Sequence, residues 1–102
     1  MTLNIYKEKN INELNFSHNK FDNIPNEIYE LKNLQHFEIY ENNITEIPAS
    51  INKLTNLEYL SLDENAITTI ANEFADLKNM RFLYLSNNKI RQITSIGGLE
   101  KL

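Results

Sequence analysis

Apolar residues recur along this chain with a fixed spacing. Ile11, Leu14, Phe16, Phe21, Ile24, Ile28 and Leu31 stand apart from one another by polar residues. The same seven offsets return as Leu34, Phe37, Ile39, Ile44, Ile47, Ile51 and Leu54, 23 residues further on. They return again as Leu57, Leu60, Leu62, Ile67, Ile70, Phe74 and Leu77. One polar position keeps step with them, occupied by Asn19, Asn42, Asn65 and Asn88. A period of roughly 20 to 50 residues marks an array of identical units stacked on one continuous core. Within a unit, Leu60 and Leu62 alternate with Tyr59, Ser61 and Asp63. That period of two predicts a half-buried strand with its leucines inward. Each strand is reached by a crossover in the same direction, so neighbours run parallel. The second half of a unit places Ile28 and Leu31 at i and i+3, which suits a single helical or 3₁₀ turn on the same core. Pro25 and Pro48 pre-set φ where that turn begins, and Ala71 and Thr94 fill the position in the other units.

The spacing divides residues 11–102 into units at 11–33, 34–56, 57–79 and 80–101. In the last, Met80, Leu83, Leu85, Asn88, Ile90 and Ile93 keep register. Ile96, Leu99 and Leu102 then recur around Gly97-Gly98, with Leu102 falling where a further unit would open, 22 residues after Met80. Residues 1–10 do not fit, because Glu8 stands where a leucine is required. They read as an N-terminal flank or cap, with Leu3 and Ile5 alternating against Asn4 and Tyr6. Repeat arrays need polar ends, and nothing polar follows Ile96, Leu99 and Leu102 in register, so end-to-end association through the C-terminal unit is an expectation, as is a longer natural chain.

The pattern L-x-x-L-x-L-x-x-N-x-I followed by I-P-x-x-I-x-x-L-x-N resembles the leucine-rich repeat family over residues 11–102, the last unit being similar to its 22-residue subclass. The resemblance implies an α/β solenoid, a curved horseshoe segment with a parallel β-sheet on the concave face. Short helical or 3₁₀ turns cover its convex face. It also implies a non-catalytic protein-interaction module.

Composition sharpens this in three places. Asparagine occurs 17 times, although it is disfavoured inside helices and strands. Asn19, Asn42, Asn65 and Asn88, inside an apolar stack, must satisfy several hydrogen-bonding sites or cost several kcal/mol, roughly, so they are expected to bond loop backbone as a structural ladder. Asn33, Asn56 and Asn79 precede the strands as turn residues. Ten basic and 14 acidic side chains leave a net charge of −4, which argues against nucleic acid. There is no cysteine, hence no disulfide or thiolate chemistry, which fits a reducing compartment. No apolar run reaches the length of a membrane span and the first residues lack a signal-peptide core, so the expected location is cytoplasmic, away from membranes.

Catalysis finds little support. The chain holds no G-x-S-x-G, no glycine-rich phosphate loop and no H-E-x-x-H, so neither enzyme activity nor a cofactor is expected. His18 and His36 occupy the eighth and third positions of successive units, roughly 16 Å apart along the strand direction, too far to share a metal ion.

The outward face of the sheet remains. Its third column reads Glu13, His36, Tyr59, Phe82, and its fifth reads Asn15, Glu38, Ser61, Tyr84. The seventh reads Ser17, Tyr40, Asp63, Ser86, the eighth His18, Glu41, Glu64, Asn87, and the second Asn12, Gln35, Glu58, Arg81. Together these columns hold six acids and one base, a formal −5 against −4 for the chain, so the acidity is concentrated here. Exposed aromatics framed by charge form interaction hot spots, whereas cross-strand packing alone leaves the acid surplus unexplained. The candidate partner-binding residues are His36, Glu38, Tyr40, Glu41, Tyr59, Asp63, Glu64, Phe82 and Tyr84, suited to a basic or mixed-charge protein or peptide. The alternative is a structural or spacer segment of a longer repeat protein without its own ligand.

Overall fold

A computed structural model describes residues 10–91. The flank up to Lys9, and Ile93, Thr94, Ile96, Gly97-Gly98, Leu99 and Leu102, lie outside the described residues. Six short strands follow one another: β1 (Glu13–Asn15), β2 (His36–Glu38), β3 (Glu46–Ile47), β4 (Tyr59–Ser61), β5 (Thr69–Ile70) and β6 (Phe82–Tyr84). One per unit builds a parallel sheet in the order β1-β2-β4-β6, and β3 pairs with β5 in a second, two-stranded sheet. The register advances by one unit at every step, Glu13 opposite His36, His36 opposite Tyr59, Tyr59 opposite Phe82. Equal spacing in the sequence thus becomes unbroken columns of side chains across the sheet.

The helical or 3₁₀ alternative resolves to 3₁₀. The turns span Asn26–Glu30, Ala49–Lys53 and Asn72–Asp76. Pro25, Pro48 and Ala71 precede them at φ −56°, −80° and −62°. Their carbonyls accept from Ile28, Ile51 and Phe74 N–H at 3.0, 3.1 and 3.0 Å, i to i−3 bonds that tighten each turn. Alanine reaches the proline backbone angle unaided, which explains why proline is dispensable there. Each turn drives one large side chain, Ile28, Ile51 or Phe74, wholly into the core. The cluster they join contains Leu34, Phe37, Ile39, Leu57, Leu60, Leu62, Leu77 and Met80, all fully buried. Burying each large apolar side chain contributes about 1.5–3 kcal/mol relative to leaving it exposed. Tyr29 is an addition to the expected core. It is buried, and among the described residues its hydroxyl has no hydrogen-bond partner. Burial, with a smaller contribution from Glu46, pushes that phenol well above its ordinary value.

The strand-to-loop transition repeats one polar arrangement. Asn65 Nδ2 donates to the carbonyls of Ile39, Leu62 and Asp63 at 3.1, 3.0 and 3.3 Å. Its Oδ1 accepts the Ile44 N–H at 3.0 Å. Asn42 does the same toward Phe16, Ile39 and Tyr40, accepting from Phe21 N–H. Asn88 donates to Leu62, Leu85 and Ser86 and accepts from Ile67 N–H. Asn19 donates to Phe16 and Ser17. The turn asparagines do more than shape their own turn: Asn56 and Asn79 donate to the Lys32 and Thr55 carbonyls of the preceding unit at 2.9 and 3.0 Å. In a stacked array the nearest free carbonyl lies one unit back, so a side chain that would mimic local backbone becomes a rung between units.

Just before each ladder asparagine the chain takes a left-handed residue: His18, Glu41, Glu64 and Asn87 have φ of 61°, 54°, 57° and 59°. No glycine serves here. Asparagine and histidine tolerate this region better than glutamate, for which it is strained. The backbone amides of these residues still bond across the stack, Glu41 N–H to Asp63 O at 3.0 Å and Glu64 N–H to Ser86 O at 2.8 Å. The strain turns the chain out of the strand while keeping the sheet bonded to its last residue.

Candidate functional site

The parallel register sets the third-column side chains face to face. The His36 and Tyr59 rings stack with centroids 4.0 Å apart and planes within 6°. Tyr59 lies 5.3 Å from Tyr84 and 6.2 Å from Phe82, and the Arg81 guanidinium carbon sits 5.9 Å over the Phe82 ring. Phe82 and Tyr84 are the exposed large hydrophobics of the described residues, at 50% and 41%. One column over, His18 meets the Tyr40 ring edge-on at 4.9 Å.

Carboxylates run beside the rings. Glu38 Oε2 accepts from Asn15 Nδ2 at 2.9 Å, and its Oε1 lies 3.6 Å from His36 Nε2. Glu41 Oε2 is 2.7 Å from His18 Nδ1. Asp63 Oδ1 accepts the Ser86 N–H at 2.6 Å. Among the described residues Glu64 forms no ion pair; the hydrogen bond and charge of Glu41 hold its carboxyl above the usual carboxylate value, with burial and Asp63 adding to this and His18 opposing it. Partial burial, then the Glu38 charge and the neighbouring Tyr84, Asp63 and Tyr40, raise the Tyr59 phenol, so it remains a neutral donor at physiological pH.

Rings and carboxylates enclose a groove of about 510 Å³. Of the residues singled out from the sequence, Glu38, Tyr40, Glu41, Tyr59, Asp63, Glu64 and Tyr84 line it. His36 and Phe82 lie outside, His36 instead lining a smaller depression with Glu38 and Glu13. Two lining residues were not singled out, Ser61 and Asn87. Ser61 forms the floor and is only 5% exposed; in the register it lies between Glu38 and Tyr84, with Tyr59 two residues back on its own strand. The available signal was size: serine is the smallest side chain in a column that otherwise reads Asn15, Glu38 and Tyr84. The two histidines belong to different pairs, and no group of three or more His, Cys, Asp or Glu among the described residues could hold a metal ion. No helix among them is long and apolar enough to cross a membrane.

Family comparison agrees with this geometry. A leucine-rich repeat model matches residues 38–90, just over half of the chain, and a second one matches residues 10–31 and 79–102. The chain belongs to the leucine-rich repeat family. Its solved structural neighbours include a leucine-rich repeat protein of Leptospira interrogans, with 32% identity and a TM-score of 0.90 over 96% of this chain and 25% of that one. An internalin of Listeria monocytogenes has 28% identity and a TM-score of 0.85 over 96% of this chain and 28% of its own. A plant peptide hormone receptor, RGFR1, solved in complex with RGF2, has 30% identity and a TM-score of 0.80 over 96% of this chain and 17% of its own. The leucine-rich repeat chain thus spans between about a sixth and a little over a quarter of these neighbours. No curated protein matches it by sequence. Domains of this family generally mediate protein–protein interaction, and the fold is typically a non-enzymatic module.

Proposed function

We propose that this leucine-rich repeat segment binds a protein or peptide on its concave sheet, with Tyr59, Phe82 and Tyr84 as anchors and Tyr40 and His36 beside them. The observation that carries the reading is the pair of exposed rings, Phe82 and Tyr84, set against a groove walled by carboxylates. Anchoring aromatics contribute most of the affinity at an interface, whereas hydrated rim carboxylates act mainly on the association rate. Glu38, Glu41, Asp63 and Glu64 therefore steer a basic or mixed-charge partner. The test is capture of partners on the immobilised chain, followed by titration of variants. Phe82→Ala should weaken binding by about thirtyfold or more, corresponding to ~2 kcal/mol. Lys32→Glu and Lys78→Glu, on the other face, should leave binding unchanged. Binding that survives Phe82→Ala and fails with the lysine variants would place the site on the convex face.

A spacer role within a longer repeat protein is the second reading, favoured by the short share of its neighbours that the chain spans. Capture that retains nothing specific would support it.

A further inference from the structure

The groove on the sheet face holds more negative charge than its surroundings neutralise. Among the described residues its carboxylates pair only with histidines, His18 with Glu41 and His36 with Glu38, and with no lysine or arginine. Arg81, the base in the neighbouring column, lies over the Phe82 ring instead. The floor adds a polar group that opens on the groove. Ser61 is 95% buried by neighbouring side chains, lines the groove, and its hydroxyl bonds to no described residue. Three rings, those of Tyr40, Tyr59 and Tyr84, line the groove around that floor.

Resting on the concave-face reading, we propose that this groove seats one arginine side chain of the partner, its guanidinium stacked among Tyr40, Tyr59 and Tyr84 and donating to Glu41, Glu64 and Ser61. A guanidinium has five N–H donors in a fixed plane, accepts nothing, and stacks on aromatic faces. An ammonium is a compact, strongly hydrated point charge that suits a groove lined by both rings and carboxylates less well. A negative or neutral ligand would leave the carboxylates facing like charge or unpaired. The volume of about 510 Å³ lies within the small-ligand range, and the walls are aromatic where a cation gains from the ring quadrupole. The crowding of Glu41 against Glu64, visible in the raised Glu64 carboxyl, is what an inserted cation would relieve.

The test uses the full isotope-labelled chain and three capped pentapeptides with a central arginine, citrulline or lysine between glycines. Amide shifts are followed by NMR. The arginine peptide should move the amides of Tyr40, Ser61 and Tyr84 saturably, and citrulline, which keeps the shape without the charge, should bind about tenfold more weakly or worse. Lysine should fall between them. Glu64→Gln and Tyr84→Ala should each weaken the arginine peptide several-fold, and Lys78→Glu should not. Equal binding of citrulline or lysine, or the absence of saturable shifts in the groove, overturns the proposal. Panning a random-peptide library on the same chain separates the two levels of the account. Binders that shift the sheet face but contain no arginine would refute the arginine seat and leave the concave reading standing. Binders whose shifts are confined to the 3₁₀ turns would refute both.

Discussion

Replacing Asn65 by alanine tests the rungs that hold successive units together. Four hydrogen bonds go at once, yet their losses are unequal. The Leu62 carbonyl still accepts from Asn88 at 2.9 Å, and the Ile39 carbonyl from Asn42 at 3.2 Å. The Asp63 carbonyl still accepts from Glu41 N–H at 3.0 Å. The Ile44 N–H, on a fully buried residue, has only Asn65 Oδ1 at 3.0 Å. An orphaned buried donor costs about 1–3 kcal/mol, and each remaining bond adds a fraction of its net worth of about 1 kcal/mol. The expected loss is therefore about 2–4 kcal/mol, a large share of the stability of a small array. Asn42→Ala should behave alike, since it orphans Phe21 N–H. Asn19→Ala, at an exposed position, loses bonds to Phe16 and Ser17, of which the Phe16 carbonyl keeps Asn42, and should cost about 1 kcal/mol or less. Urea unfolding followed by circular dichroism reads the midpoints, with the slope m checked for constancy. An Asn65→Ala midpoint equal to that of the wild type, or no lower than that of Asn19→Ala, would refute the unequal-rung argument.

Other outcomes follow from the same structure. Tyr29→Phe should be neutral or mildly stabilising near pH 7, since the hydroxyl has no partner to lose. Because burial disfavours the ionised Tyr29 phenol in the folded state, stability is unaffected below its ordinary value of 10.0 and falls as pH rises above it. Wild-type stability should thus fall more steeply than that of Tyr29→Phe in alkaline denaturation. Glu64 is likewise raised above its ordinary 4.5, so its ionisation destabilises the fold as pH rises through the folded value. Glu64→Gln should have a higher urea midpoint than the wild type at pH 7, and the difference should vanish in acid. Tyr59→Ala removes the stacking on His36 and should lower the midpoint more than Phe82→Ala, whose ring is half exposed; the reverse order would show that the stack contributes nothing.

The period alone made the fold legible, because equal spacing leaves a parallel register as the way to stack equal units. It placed Leu60 and Leu62 in the core and Tyr59, Phe82 and Tyr84 on one face. Other features depend on neighbours that no single unit displays. The column of Tyr29 reads Asn52 and Ala75 in the next units, so nothing in the pattern marked it as core. Ser61 alternates outward correctly, yet it is buried, a small side chain between the larger Glu38 and Tyr84 of the neighbouring strands. The left-handed residues were hidden because glycine, the usual sign, is absent where His18, Glu41, Glu64 and Asn87 stand. Register places Glu41 beside Glu64 from the sequence, but how closely their carboxyls approach depends on rotamers.

The most direct test of the concave-face reading is a hydrogen-exchange footprint of the intact chain with a captured partner. Binding on the sheet should slow exchange over Tyr59–Ser61 and Phe82–Tyr84 and around Glu41 and Glu64, with Asn26–Glu30, Ala49–Lys53 and Asn72–Asp76 unchanged. Protection confined to those three 3₁₀ turns, with the strands unaffected, would contradict it.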